Sequence, residues 1–456
     1  MCVFRRAVTT FLLVLAILWA PGAVIAQTDE NIEDIQALNS KADELYRAGK
    51  PGEAVGFAEQ ALALAEQRLG PDNARVGIIL RNVGLLYTAL SRQAEAEPLA
   101  LRSLAVLEKA KGADDPEVAP TLELLAHLRI VQKRTDEAIT LHMRALAIKE
   151  KALGPDNPGL IKTLDTLATV HAVARRSPQA ESFVKRIIAI VEKDRGPDHP
   201  DLGPWLEKLA RYYEAQGKDG EVETTYQRML AIVEKARGPD HRDVIEPLTK
   251  LAAFYTTYRQ AQYARAEHLY RRCLAITEAA HGPDSIELRR WHDEIGRLFE
   301  RQNRYADAEA QYQRSLALVE KAKGTEHPDF VDALGKLARV STALGSKQDA
   351  KAVPFYLRMI AIIEKTHGPD HKDLIAPLHS LGQVYEVSQK APEAEAVYQR
   401  ALAVADKTLG PEHPDLLRAI DKLASFYSGY LRQEFAKAEL LYKRALAIQE
   451  LSLIHI

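Results

Sequence analysis

The stretch Ala189-Ile190-Val191-Glu192-Lys193-Asp194-Arg195-Gly196-Pro197-Asp198-His199-Pro200 is a phrase that the chain says again and again. Gly238-Pro239-Asp240-His241 and Gly368-Pro369-Asp370-His371 are close variants. Its glycine recurs at positions 70, 112, 154, 196, 238, 282, 324, 368 and 410, at steps of 42 or 44 residues. Self-similarity at a period of roughly 20–50 residues marks an array in which each unit buries its apolar face against its neighbours. A length of 456 residues would otherwise suggest about three globular domains. Ten units instead fill residues 27–450 with one all-α array.

Each unit reads as two helices. Within residues 200–241, Trp205, Leu206, Leu209, Ala210, Tyr212 and Tyr213 fall at three- and four-residue steps on a first helix. Val222, Tyr226, Met229, Leu230 and Val233 do the same on a second, and Gly217-Lys218-Asp219-Gly220 makes the turn between them. Gly238 is expected at a left-handed C′ position, with Pro239 stopping continuation. Asn157, His199, His327 and His413, each followed by proline, are expected to cap the next helix. Small residues recur on the first helix (Ala42, Gly84, Ala126, Ala168, Ala210) and at the start of the second (Ala54, Ala96, Ala138, Ala180). A third series, Ala63, Ala105, Ala147, Ala189 and Ala231, stands seven residues before each glycine. All three series, and the tyrosines from Tyr226 to Tyr442, are assigned to the core, where small residues let helices approach closely.

Gly84-x-x-Tyr87, Ala96 and Ser103, or Gly382-x-x-Tyr385, Ala394, Tyr398 and Ala401, together with the closing Glu-Lys-x-x-Gly-Pro-Asp-His-Pro phrase, resemble tetratricopeptide repeats. The 42-residue unit is similar to that of kinesin light chains, and the likeness covers residues 32 to about 450. The resemblance implies a right-handed α-solenoid of about ten helix-turn-helix repeats. Its first helices would line a concave groove that binds extended peptides or partner helices, and its function would be that of a non-enzymatic scaffold.

The groove slot implied by that family lies two residues before the first-helix small position, and holds Asn82, Lys208, Lys250, Lys336 and Lys422 among others. One residue after the small position stand Arg211, Arg297 and Arg339. Lys208/Arg211 and Lys336/Arg339 are i,i+3 neighbours on one helix face. These eight residues form the candidate peptide-binding set. They suggest a locally basic groove from the fifth repeat onward that would favour carboxylate-bearing partners. Self-association is a further expectation for such a module.

Other chemistry is absent from the sequence. There is no Gly-x-Ser-x-Gly, phosphate-binding loop, His-Glu-x-x-His or Cys-x-x-Cys. No cofactor or metal is expected. The loop histidines belong to one position per repeat and cannot converge on one ion. Lys+Arg number 61 against 63 Asp+Glu, so no chain-wide charge attracts nucleic acid or an anionic membrane.

Arg5 and Arg6, the apolar run Phe11–Ala20 and the small residue Ala26 read as a secretory signal peptide over residues 1–26. The run falls short of the roughly 20 residues a membrane-spanning helix needs. Cleavage after Ala26 would leave a periplasmic or secreted chain of net charge −4, with no membrane attachment. Cys2 leaves with the leader. Cys273 remains alone, in a slot held by Ala61, Ala145 and Ala401 elsewhere, and is expected to be buried and inert.

The array breaks at its end. Residue 454 should be the next glycine but is Ile454, within the apolar tail 451–456, which reads as a truncation point or an artefactual end. Exported arrays of the resembling family often precede a caspase-like CHAT domain, so a regulatory arm of a larger protein is the alternative reading.

Overall fold

In the computed structural model, residues 30–258, 262–345, 349–410, 413–430 and 434–454 are described. The signal-peptide assignment, and parts of the long turns near residues 260, 347 and 432, lie outside them. The chain forms two compact units, Met1–Ala236 and Arg237–Ile456. The first unit carries helices α1 (Glu30–Arg47), α2 (Pro51–Leu69), α3 (Ala74–Ala89), α4 (Gln93–Lys111), α5 (Val118–Val131), α6 (Thr135–Leu153), α7 (Ile161–Val173), α8 (Ser177–Arg195) and α9 (Gly203–Ala215), and all but the last residue of α10 (Asp219–Arg237). The second carries α11 (Ile245–Tyr258), α12 (Tyr263–His281), α13 (Arg289–Arg301), α14 (Tyr305–Lys323), α15 (Pro328–Ala343), α16 (Asp349–His367), α17 (Ile375–Val387), α18 (Ala391–Thr408), α19 (Pro414–Ser425) and α20 (Phe435–Ile454). Odd-numbered helices are the first of each repeat and even-numbered the second. Among the described residues there is no strand, and the fold is an all-α repeat solenoid.

The caps follow the phrase, with one correction. His199, His241, His327, His371 and His413 sit in extended backbone, and each Nδ1 accepts from the amide two residues on, at 3.1–3.3 Å. Asn73, Asn157 and Ser285 do the same through oxygen. The glycines, however, are not left-handed. Gly196 has φ 99° and ψ 159°, and its N–H still bonds Glu192 O, so it is the last residue of the helical ladder. Positive φ with extended ψ is a region essentially closed to residues with a Cβ.

The left-handed residue lies instead in the turn within the repeat, wherever that turn is described. Ser91, Lys133, Arg175, Asn303 and Gln389 have φ of 57–61°, where Gly49 and Gly217 stand in other repeats. Ser91 N–H bonds Thr88 O, and Arg92 N–H bonds Tyr87 O at 2.8 Å, the paired bonds of a Schellman motif. The residue after the left-handed one is basic (Lys50, Arg92, Arg134, Arg176, Lys218, Arg304, Lys390). Arg92 and Arg304 lie 4.2 Å from the ring centroids of Tyr87 and Phe299, so a cation over a ring replaces the usual apolar contact.

Two of the three small-residue series are core. Ala42, Ala126, Ala168 and Ala210, and Ala54, Ala96, Ala138 and Ala180, are fully buried. The series from Ala63 to Ala447, seven residues before each glycine, is exposed throughout. Alanine there serves helix propensity on an outer face rather than close packing. The buried slot lies two residues earlier, at Ala61, Ser103, Ala145, Cys273, Ser315 and Ala401. Tyr226, Tyr270, Tyr312, Tyr356 and Tyr398 are buried as expected, whereas Tyr442 is exposed.

The polar letters of the phrase tie many neighbouring repeats within each unit together. The glutamate four residues before the glycine forms an ion pair with an arginine of the following second helix: Arg102 with Glu66 at 2.6 Å, Arg144 with Glu108 at 2.5 Å, and likewise Arg186–Glu150, Arg228–Glu192 and Arg400–Glu364. The same guanidinium often also donates to a loop carbonyl, as Arg186 does to Pro155 O at 2.7 Å. The aspartate two residues after the glycine receives a lysine of the following repeat, as in Lys151–Asp114 at 2.9 Å and Lys193–Asp156 at 2.6 Å. The lysine pairs are exposed and the arginine pairs partly so, each worth about 1 kcal/mol or less. Their regularity sets register more than it adds stability.

Candidate functional site

The first helices present two kinds of polar row. In the first unit α3 and α5 are covered on nearly every side. Asn82 is 1% exposed and its Oδ1 accepts from the buried Arg81 guanidinium at 3.3–3.4 Å, so it does not line a groove. Lys208 reaches back from α9 to α7, where it pairs with Asp165 and donates to Thr169 Oγ1 at 2.9 Å. Arg211 is exposed and held by Glu207 one turn earlier, at 2.9 Å.

In the second unit Lys336 lies 2.8 Å from Asp293 and 2.7 Å from Asp332, with little of its side chain exposed. Arg339 donates to Glu300 through Nε and Nη2, at 3.1 and 2.7 Å. Arg297 donates to Glu294 at 2.5 Å. Lys250 and Lys422 are partly buried. Lys250 is engaged with other groups, and the charge of Lys422 adds to the burial that holds His379 down at about 4. The expected run of free cations is therefore corrected to a mixed surface. Acidic residues one turn or one repeat away neutralise Lys208 and Lys336 in particular. Arg211, Arg297 and Arg339 remain half or more exposed.

A second polar cluster is buried. Glu123 on α5 accepts from Thr163 Oγ1 at 2.6 Å and from Lys149 Nζ at 2.5 Å, and its other oxygen meets no partner. His142 on α6 is 2% exposed, and neither ring nitrogen has a hydrogen-bond partner. Burial pushes its pKa down to about 4, against the pull of Glu123, and burial alone does the same to His127. A change from apolar or aromatic to titratable marks the place, since the other repeats carry alanine, valine or tyrosine where His142 stands.

Cys273 is buried as expected, its thiol 3.9 Å from Ile245 O and pushed up to about 11 by burial. Among the described residues, no group of three His, Cys, Asp or Glu side chains is placed to hold a metal. No described helix is long and apolar enough to cross a membrane.

A sequence model of the tetratricopeptide repeat matches residues 33–109, 117–193, 167–235, 243–321 and 377–450. No curated protein matches the chain. Solved structures similar to it include TPR-like repeats of a Podosopora anserina chain assigned to the kinesin light chains, at 24% identity. That match covers 46% of this chain and 98% of the other, with a TM-score of 0.40. BtubC from P. vanneervenii is 19% identical over 54% of this chain and 92% of its own, with a TM-score of 0.40. The C-terminal part of a TPR repeat-containing protein from Cytophaga hutchinsonii is 17% identical over 65% and 98%, with a TM-score of 0.42.

Proposed function

Because the chain belongs to the tetratricopeptide repeat family, we propose that it is a non-enzymatic scaffold that binds an extended polypeptide along the exposed row of its first helices. Acidic segments are the preferred ligands of residues 237–456. One observation carries the preference. Arg297 and Arg339 hold the same register on first helices one repeat apart, are 50% and 57% exposed, and are each steadied by a single carboxylate. A guanidinium has five N–H donors, so most of each fork remains free for a carboxylate or a backbone carbonyl. Lys336, spent on two aspartates, plays no part in this recognition.

Fluorescence anisotropy with acidic, neutral and basic peptides of equal length tests the reading. The double substitution Arg297→Glu and Arg339→Glu should weaken the acidic peptide by about tenfold or more, with binding that declines as salt rises. Equal affinity for basic peptides, or an unaffected double variant, refutes the acidic preference. We also assign the chain to an exported compartment, on the strength of Arg5, Arg6, the run Phe11–Ala20 and Ala26. A mature protein beginning at Gln27 is the expected result of N-terminal sequencing.

A further inference from the structure

Among the described residues the inter-repeat clamp of arginine on glutamate is open twice: Arg358 leaves Glu320 and lies 4.8 Å from the Phe330 ring centroid, and Arg314 leaves Glu278. Arg314 stands ten residues before Gly324, and Glu278 four before Gly282, the same positions that bring Arg144 onto Glu108 and Arg186 onto Glu150. Both residue types are kept, yet Arg314 makes neither hydrogen bond nor ion pair with any described residue, and the Glu278 carboxylate makes none either. The two side chains line one cavity of about 360 Å³ between α12, α13 and α14, within the size range of small-ligand sites.

A second departure lies on the wall of the same cavity. His292 occupies the core position held by Leu80, Leu122, Leu164, Leu206, Leu248, Leu334, Leu378 and Ile420 in other repeats. Its Nδ1 lies 2.9 Å from Gln311 Oε1. Gln311 is itself polar where Leu99, Leu141, Leu269 and Phe355 stand. An amide oxygen only accepts, so Nδ1 carries the hydrogen and Nε2 keeps its lone pair. The nearby Arg314 charge, after burial, helps keep the ring neutral. Lys321 at the rim is spent on Asp284.

The geometry points to a binding site for a small zwitterion of the amino-acid class in this cavity. The ligand carboxylate takes the unspent fork of Arg314. Its ammonium donates to Glu278 and to the lone pair of His292 Nε2. Its side chain lies against Leu274 and Leu318, which favours aliphatic amino acids. One spare cation, one spare anion and one neutral acceptor around an apolar wall match this class better than a simple anion, which Glu278 would repel. The site is separate from the first-helix row, so it stands whether or not peptides bind there.

Isothermal titration of the chain with L-leucine, isovalerate and isoamylamine tests the assignment. L-leucine should bind, and each single-charge analogue should bind at least about tenfold more weakly, the loss of one charge-assisted contact. Arg314→Gln and Glu278→Gln should each weaken L-leucine by a similar factor, with unchanged circular dichroism. His292→Leu restores the residue of the other repeats, so it should keep or raise the melting temperature while removing binding. No heat from L-leucine or any other common amino acid overturns the proposal. So does undiminished binding by Arg314→Gln or His292→Leu.

Discussion

Replacing His142 with leucine should reduce the acid sensitivity of the first unit. The ring is 2% exposed with both nitrogens unpartnered, and its pKa lies at about 4 where an unfolded histidine titrates near 6.5. The folded state thus holds the ring neutral while the unfolded chain takes up a proton. Stability is whole above pH 6.5, falls by up to about 1.4 kcal/mol per pH unit as the pH drops toward 4, and levels off below it. The accumulated loss from this one residue is about 3 kcal/mol. Leucine removes both the proton and an unsatisfied buried donor, an omission that itself costs about 1–3 kcal/mol. Urea unfolding of the two proteins between pH 7.5 and 4 reads the effect, because titrating groups other than the neighbours Glu123, Lys149 and His127 cancel in the difference. His142→Leu should be at least as stable at pH 7.5 and pull ahead by about a further 3 kcal/mol at pH 4. A difference that stays constant with pH would show that His142 takes up no proton on unfolding and would refute the argument.

Two further outcomes follow from packing. A Cβ at Gly382 would sit 2.5–2.9 Å from three atoms of the buried Tyr398 ring. Gly382→Ala should therefore cost about 1–2 kcal/mol net despite alanine's better helix propensity, whereas Gly56→Ala, with nothing within 4 Å, should stabilise by up to about 1 kcal/mol. Thermal melts of the two variants settle the comparison, and equal shifts would mean that the Tyr398 ring swings clear. Cys273, fully buried with its thiol pushed up to about 11, should react with alkylating reagents at pH 8 orders of magnitude more slowly in the folded than in the denatured chain. Comparable rates would show an open core at α12.

The helix pairs and their caps were legible because each rests on a local, periodic cause. A residue such as His199 before proline caps whatever follows it, wherever the helix then goes. The small positions were legible only in part. Ala210 and Ala231 look alike in sequence, and the fold alone says that Ala210 faces the partner helix and Ala231 the solvent. The binding row was the least legible, for the same reason. Lys208 and Lys336 carry a charge that the sequence shows, but Asp165 and Asp293, one repeat back, cancel it through contacts that a linear spacing does not display. The left-handed turn residues were missed as well, since Lys133 and Arg175 give no sign of a positive φ. Comparison with Gly49 and Gly217 at the same register would have given it.

An array of ten units supplies its own alignment, and departures from that alignment separate into two physical kinds. His142 stands where the other repeats have alanine, valine or tyrosine, and no neighbouring side chain hydrogen-bonds to it. Its nitrogens stay unsatisfied and the result is an acid-sensitive core. His292 does not stand alone. Gln311 changes with it from apolar to polar and takes its Nδ1 hydrogen, and the adjacent Arg314 and Glu278 forgo the clamp that most of their counterparts close. A polar residue in a repeat core costs the full desolvation of each group left unpaired. Drift therefore tends to leave isolated departures such as His142. A departure compensated on one side and left open toward a cavity on the other retains spare donors and acceptors where a ligand can use them. That difference, rather than the presence of histidine, separates the two places.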